Sequence, residues 1–461
     1  MITLYTPATG FPDLEIKIAY GLARVGIEAF GIDSITIKDN GGFYTITINV
    51  NKAKFNLLDA TFNMICKRLL SSSYIPFSTP GIAGRSAESL GFKESEILSL
   101  EGYRFISYNA VNRSTENVCK CKGNSVGNII GLAVATSYHH RRDGLDVSIQ
   151  QNTPRRPTIP KKICKTCALL SLLGIWYASF IFSIADKEII VIPIPKKEIN
   201  GSNLQNIFSL QHQLRKDWIN QEIPQILIPL IFLSRVPSSA DILDGFDIFV
   251  AILSRQQGYH VDGLFLVPIS NYLDFLKANP YNIAIVDKML RNQAYNALQE
   301  LNNTIYNRVP TSLSKFVRLY VYETSNNRFT NLLYPEASKY LLREVAMISP
   351  EIIENQALGS LARTLRYFIR EKKYGYADDI RNARKEAKDF EDTIAKMLRE
   401  GRLRLEQKEK IHLPSDEEMK EVFRLANKDF DKTKTALIIL AFSFPTRAEE
   451  TLDTIQEVQN A

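Results

Sequence analysis

The chain has 461 residues, enough for two to four domains, and its 45% hydrophobic content suffices to bury more than one core, as in an ordinary soluble protein. A formal net charge of +7 is mild for this size and excludes no partner class until its distribution is known. The opening stretch MITLYTPATGFPDLEIKIAYGLARVG has no basic leader followed by an apolar run and a small-residue cleavage site, which argues against secretion and for a cytoplasmic protein.

Residues 1–110 read as an N-terminal α/β region. PDLEIKIAYGLARVGIEAFG spaces Leu14, Ile18, Leu22 and Val25 along one face of a helix. SITIKDNGGFYTITINV alternates on both sides of an Asn-Gly turn, the pattern of a hairpin. A second helix is expected at about residues 55–71, with Cys66 as a buried core thiol. STPGIAGRSAES, with Pro80, Gly81, Gly84 and Arg85, is a loop: a plain connector, or one that brings a cation up to a nucleic-acid backbone.

Residues 111–170 hold four of the five cysteines, in two tight pairs: Cys119 and Cys121, then Cys164 and Cys167. In a reducing compartment such pairs bind metal more often than they form disulfides. Zinc takes four sulfur ligands tetrahedrally, and each pair would grip the ion from one side. Cys164-Lys-Thr-Cys167 has the usual spacing and Cys119-Lys-Cys121 is one residue shorter. Cys167 falls at a helix start, where the dipole favours a thiolate. Four sulfurs leave no open position for water, so the zinc would be structural; unligated buried thiols or a redox pair are the alternatives.

The charge collects in the same place. From Cys119 to Cys167 there are nine basic residues (Lys120, Lys122, Arg141, Arg142, Arg155, Arg156, Lys161, Lys162 and Lys165) against Asp143 and Asp146, so the rest of the chain sums to zero. Such a concentration is the footprint of a nucleic-acid partner, because neutralised phosphates release counterions; the competing reading is a solvated loop kept polar for solubility. SYHHRRDG adds rings to cations at Tyr138, His139 and His140, although the two histidines also fit a hydrated turn. Three prolines in TPRRPTIP keep that run out of helices.

Residues 171–349 read as a mixed α/β and then helical core. Ala168 to Ala185 is uncharged over eighteen residues, the length of a membrane span, but its serines, its glycine and the strand-like KEIIVIPIPKK that follows favour a core helix. EIIVIPI, QILIPLIFL and GLFLVPI read as strands whose Pro193, Pro229 and Pro268 mark edges or bulges rather than a regular parallel sheet. From about residue 270 the pattern is helical. Residues 350–461 read as a separate helical bundle. Its Ile380, Ala383, Ala387, Phe390, Ile394 and Met397 form one buried stripe of a helix that ends at Gly401. Ser415 and Glu418 form a capping box, and TKTALIILAFSF lies at the centre. The expected fold class is thus α+β: an N-terminal α/β region with a zinc-stapled basic segment, a mixed α/β core and a C-terminal helical bundle.

No catalytic constellation is visible. GNSVGNIIG lacks the lysine and hydroxyl of a phosphate-binding loop, and the five histidines supply no evident general base, so the chain reads as non-catalytic. A carboxylate-only, metal-dependent nuclease site is the open alternative.

LYTPATGFPDLEIKIAYGLARVGIEAFG, the cysteine pairs around a basic segment and the overall length resemble the large subunit of the type I-A CRISPR interference complex, the archaeal form of Cascade. LARTLRYFIREKKYGYADDIRNARKEAKDFEDTIAKMLREG and LPSDEEMKEVFRLANKDF resemble the small subunit of such complexes. The resemblance implies a non-catalytic antiviral-defence role. Such a subunit contacts the 5′ handle of the CRISPR RNA and the backbone, handle-binding and small subunits, reads the motif flanking the protospacer in double-stranded DNA, and helps open it for a separate helicase-nuclease. Guide pairing then reads most of the target and the protein only its flank. The zinc assignment falls on Cys119, Cys121, Cys164 and Cys167. Candidate nucleic-acid contacts are Arg85, Lys120, Lys122, Arg141, Arg142, Arg155, Arg156, Lys161 and Lys162. The rival class is an independent zinc-containing nucleic-acid-binding protein that works without guide RNA; no membrane partner is expected.

Overall fold

The computed structural model describes residues 1–7, 12–70, 100, 165–214, 218–219, 222–235, 239–254, 260–307, 310–326, 330–385 and 388–445. These residues form a mixed α+β fold with two small sheets and a C-terminal helical region. They divide into two compact units, Met1–Gln225 with Val236–Ser270, and Ile226–Arg235 with Asn271–Ala461.

In the first unit, β1 (Ile2–Tyr5), β2 (Ile35–Asp39) and β3 (Tyr44–Ile48) build an antiparallel sheet around α1 (Pro12–Phe30). The β2–β3 hairpin closes with Asn40 N donating to Phe43 O at 3.0 Å, and Gly41 and Gly42 take the positive φ values (74° and 126°) the turn requires. α2 (Phe55–Leu70) buries Cys66 as expected. The chain re-enters the described fold at α3 (Lys165–Ala178), followed by β4 (Phe180–Ile184) and β5 (Lys187–Pro195).

The uncharged run from Ala168 to Ala185 is therefore not one core helix. It divides between α3 and β4, because Phe180, Phe182 and Ile184 alternate into the core as a strand face while Ala168 to Ile175 are buried all round as a helix. No helix among the described residues is long and apolar enough to cross a membrane.

After β6 (Ile199–Asn200), which joins the first sheet beside β2, come α4 (Gly201–Leu214) and β7 (Trp218–Ile219). The chain then passes through α5 (Ile228–Arg235), which belongs to the second unit, and returns in α6 (Ser239–Ile242), β8 (Phe246–Ser254) and β9 (His260–Pro268). The second sheet runs β7-β4-β5-β8-β9, antiparallel except for β7 beside β4.

The three prolines behave differently. Pro193 lies where β5 outruns β4, so its missing N–H faces no partner strand and its carbonyl accepts from Tyr20 Oη at 2.6 Å. Pro268 ends the edge strand β9. Pro229 is not in a strand: QILIPLIFL forms a 3₁₀ turn and then α5, where proline near the first helical position costs nothing because that N–H has no acceptor in the helix.

The second unit is helical: α5, α7 (Ser270–Ala278), α8 (Pro280–Arg291), α9 (Tyr295–Asn307), α10 (Pro310–Thr324), α11 (Pro335–Tyr340), α12 (Pro350–Ile353), α13 (Gln356–Arg370), α14 (Gly375–Asn382), α15 (Asp389–Glu406), α16 (Asp416–Lys428) and α17 (Phe430–Ala441). α17 is buried along most of its length, packed by α10, α13, α14 and α16. Buried Arg366 of α13 donates to the carbonyls of Leu440 at 2.8 Å and Ala441 at 3.4 Å, placing a cation at the negative end of α17.

The expected single helix from Ile380 to Gly401 is two helices. Ala383 is extended (ψ 140°) and Lys388 takes φ 56°, so α14 stops and α15 starts afresh although Ile380, Phe390, Ile394 and Met397 are all buried. Gly401 does not end α15. It lies inside it, where an added Cβ would sit 2.7 Å from Leu413 Cδ2, so glycine lets the following chain cross back over the helix.

Candidate nucleic-acid interface

The described residues nearest the basic segment in sequence, Leu100 before it and Cys167 at its end, lie in the core of the first unit. Leu100 is fully buried, and its N–H donates to Asp59 Oδ1 on α2 at 2.5 Å. At the other end, Cys167 is the third residue of α3 and fully buried in the same apolar core as Leu100. α3 is held to α1 by an antiparallel crossing with the two backbones in contact. A Cβ on Gly21 would lie 2.1 Å from Leu170 O, and one on Gly174 would lie 1.9 Å from Lys17 O. The glycines, unfavourable inside helices by about 1 kcal/mol each, are needed for that approach.

Of the sequence-predicted ligands, Cys167 alone is among the described residues. Cys167 is a soft donor in a helix's first turn, which fits a zinc ligand and equally a buried core thiol. Cys119, Cys121 and Cys164 lie outside the described residues, as do Arg85, Lys120, Lys122, Arg141, Arg142, Arg155, Arg156, Lys161 and Lys162. Among the described residues, no group of three or more His, Cys, Asp or Glu side chains is placed to hold a metal ion. Cys66 is a core thiol, its pKa pushed up by burial.

Three charged side chains that the sequence reading passed over lie beside this base. Asp13, Glu15 and Lys17, in the first two turns of α1, are all buried, with Lys17 Nζ 3.3 Å from Asp13 Oδ2. Burial lowers the Lys17 pKa and the Asp13 carboxylate pulls it back up, with burial the larger effect. Two carboxylates at the positive end of a helix are favourably placed, but nothing local marks them as buried. The periodic signal of α1 predicts one apolar face, whereas every residue from Asp13 to Ala23 is inside.

Several charges on the surface of α13 to α17 are held in ion pairs. Lys428 reaches Glu351 at 2.8 Å, Arg424 reaches Glu421 at 2.7 Å, and Glu400 accepts from Lys373 at 2.8 Å and Tyr376 at 2.5 Å. The Lys428, Arg424 and Lys373 partners hold Glu351, Glu421 and Glu400 below the ordinary glutamate value. Two arrangements here resemble catalytic groups. Ser360 Oγ is 2.6 Å from His412 Nε2 and 3.1 Å from Glu418 Oε2, but the serine is fully buried and sits between the other two, so the carboxylate does not orient the histidine as in a nucleophilic triad. An open groove of about 610 Å³ is lined by Glu351, Glu354, Glu417, Glu418 and Glu421; Glu351, Glu354 and Glu421 are ion-paired, and Glu418 accepts from Ser415 N in the capping box.

No protein-family model matches the chain, and no curated protein matches it.

Proposed function

We propose that this chain is the non-catalytic large subunit of a CRISPR RNA-guided DNA surveillance complex. In this reading it engages the guide RNA handle and its neighbouring subunits, reads the protospacer-flanking motif and helps open the duplex for a separate helicase-nuclease. The observation that carries it is the distribution of charge: the whole net charge of +7 lies between Cys119 and Cys167. A patch of that density, flanked by cysteines with metal-ligand spacing, is suited to duplex phosphates and to a Gua-reading arginine at the flank. The stretches resembling the large subunit at the N-terminus and the small subunit at the C-terminus support the same reading. Zinc held by Cys119, Cys121, Cys164 and Cys167 would stiffen the base of the patch. It would supply structure and no chemistry.

The test is binding of the chain, reconstituted with CRISPR RNA and backbone subunits, to target duplexes with randomised flanks. Enrichment of one flank, lost when this chain is omitted, is the expected result. Equal binding to all flanks, or full binding without guide RNA, would replace the proposal with an independent zinc-containing nucleic-acid-binding protein.

A further inference from the structure

A pocket of about 460 Å³ lies wholly within the second unit, lined by α7, by Ile305 of α9 and by the turn that follows α11. Phe275, Ile305 and Val345 are buried residues that give it an apolar floor, and the rings of Phe275 and Tyr340, which both line it, lie 6.0 Å apart. Two carboxylates stand at its margin on different elements, Asp274 on α7 and Glu344 on the turn, and both are exposed. Among the described residues neither has an ion-pair partner, unlike Glu300, Asp378, Glu400 and Glu351 of the same unit. Lys277 is also in the lining, so two carboxylates stand against one ammonium and the pocket is anionic.

The backbone that carries Glu344 departs from an ordinary helix end. Leu341–Val345 winds as a π turn, with Ala346 N donating to Leu341 O at 2.9 Å, and Ile348 N then donates to Leu342 O at 3.0 Å. The chain closes this turn through Met347 at φ 54°, a position where glycine is the usual residue. The methionine gains no burial in return: it is 69% exposed and forms part of the pocket lining. Wide turns and left-handed non-glycine residues gather at functional sites, and an exposed thioether is an adaptable apolar surface.

An apolar floor with an anionic margin suits an alkyl chain that ends in cations. Its methylenes lie on Phe275, Ile305 and Val345, while its charges stay at the wet rim beside the carboxylates and the face of Tyr340. Carboxylates on two separate elements call for two ammonium groups joined by one chain. We infer that this pocket binds a linear aliphatic diamine or polyamine, with one ammonium at Asp274, another at Glu344 and the methylenes over the apolar floor to Met347. The site is separate from the basic segment in sequence and opposite to it in charge, and its occupancy does not depend on guide RNA.

The test reads the pocket through Met347 in the full chain labelled with carbon-13 at its methionine methyl groups. Six methionines give few signals, and Met347→Leu identifies the one that belongs to the pocket. The probes, at fixed ionic strength, are cadaverine, pentylamine, 1,5-pentanediol and the lysine side chain as Nα-acetyl-lysine methylamide. Cadaverine is expected to move the Met347 signal saturably, with a dissociation constant on the order of 1–10 mM. Pentylamine should bind roughly two- to fivefold more weakly, and the uncharged diol should not saturate. Asp274→Asn or Glu344→Gln is expected to weaken cadaverine by the same factor and to remove its advantage over pentylamine, since one carboxylate then remains for one ammonium. A Met347 signal unmoved by about 50 mM cadaverine overturns the site. So does a response no larger than that of Met64, which is 45% exposed in the first unit and reports general ionic effects. Tighter binding of the lysine derivative than of cadaverine overturns the free diamine as ligand and assigns the pocket to a side chain of a partner polypeptide.

Discussion

α1 and α3 meet backbone to backbone around buried charge, whereas α13 to α17 meet through side chains and, Arg366 aside, keep their charges at the surface. In the first case Gly21 and Gly174 remove everything that would hold the helices apart, and Lys17, whose carbonyl touches Gly174, carries its ammonium into the core. In the second, the helices are defined by local chemistry: Asn355, Ser415 and Asp429 cap the starts of α13, α16 and α17. The difference teaches where each region will break. The α1–α3 crossing depends on a few positions that tolerate nothing else, and the C-terminal helices spread their stability over many exchangeable contacts.

The largest effect is expected at Lys17. Replacing it with methionine fills the space but leaves Asp13 buried without its ammonium partner, a change costing about 3–5 kcal/mol. Urea unfolding of Lys17→Met, Asp13→Asn and the double variant measures it; if the two single losses simply add, the ion pair is not what holds α1. Next comes Gly174→Ala, expected to cost about 1–3 kcal/mol because a backbone carbonyl cannot step aside as a side chain can. Gly375→Ala at the start of α14, where an added Cβ meets nothing within 4 Å, is the matching control and should be neutral or slightly stabilising. A similar loss at both glycines would remove the contrast between the regions. Smaller again, Ser415→Ala should cost about 1 kcal/mol through loss of the cap to Glu418 N, read as a drop in the melting temperature of the second unit.

What was legible in the sequence follows the same division. The hairpin around Asn40 and Gly41, the helix carrying Cys66 and the Ser415–Glu418 capping box are local signals, and the structure has them where the residues imply. QILIPLIFL misled because a short apolar run has no period that separates a buried strand from a buried helix, and FDIFVAILS, which forms β8, went unread for the same reason. The break between α14 and α15 was invisible because Ile380, Phe390 and Ile394 keep a helical spacing across it. The candidate site divides likewise. Its cysteine spacing and charge are plain in the chain, but the place of Lys17 against Gly174 depends on α3, some 150 residues away. Charged residues in a helix's first turns read as exposed until the helix packed over them is known.

The smallest effect bears most directly on why the charge is there. Burial holds the Lys17 pKa below the ordinary lysine value, so between its folded and unfolded values the unfolded chain binds more protons than the folded one. In that window this site's contribution to stability rises with pH. Buried Tyr20 and Tyr44, whose pKa values burial raises, act with the opposite sign at the alkaline end, since the unfolded chain releases those protons first. The total slope therefore mixes both, and the informative quantity is the difference between the parent and Lys17→Met, measured by urea unfolding from neutral pH to about 10. That difference should grow with pH in the parent's favour. A flat difference would mean that Asp13 holds Lys17 charged across the range, making the pair a fixed ionic bolt through α1 rather than a group kept in the core against its preference for water.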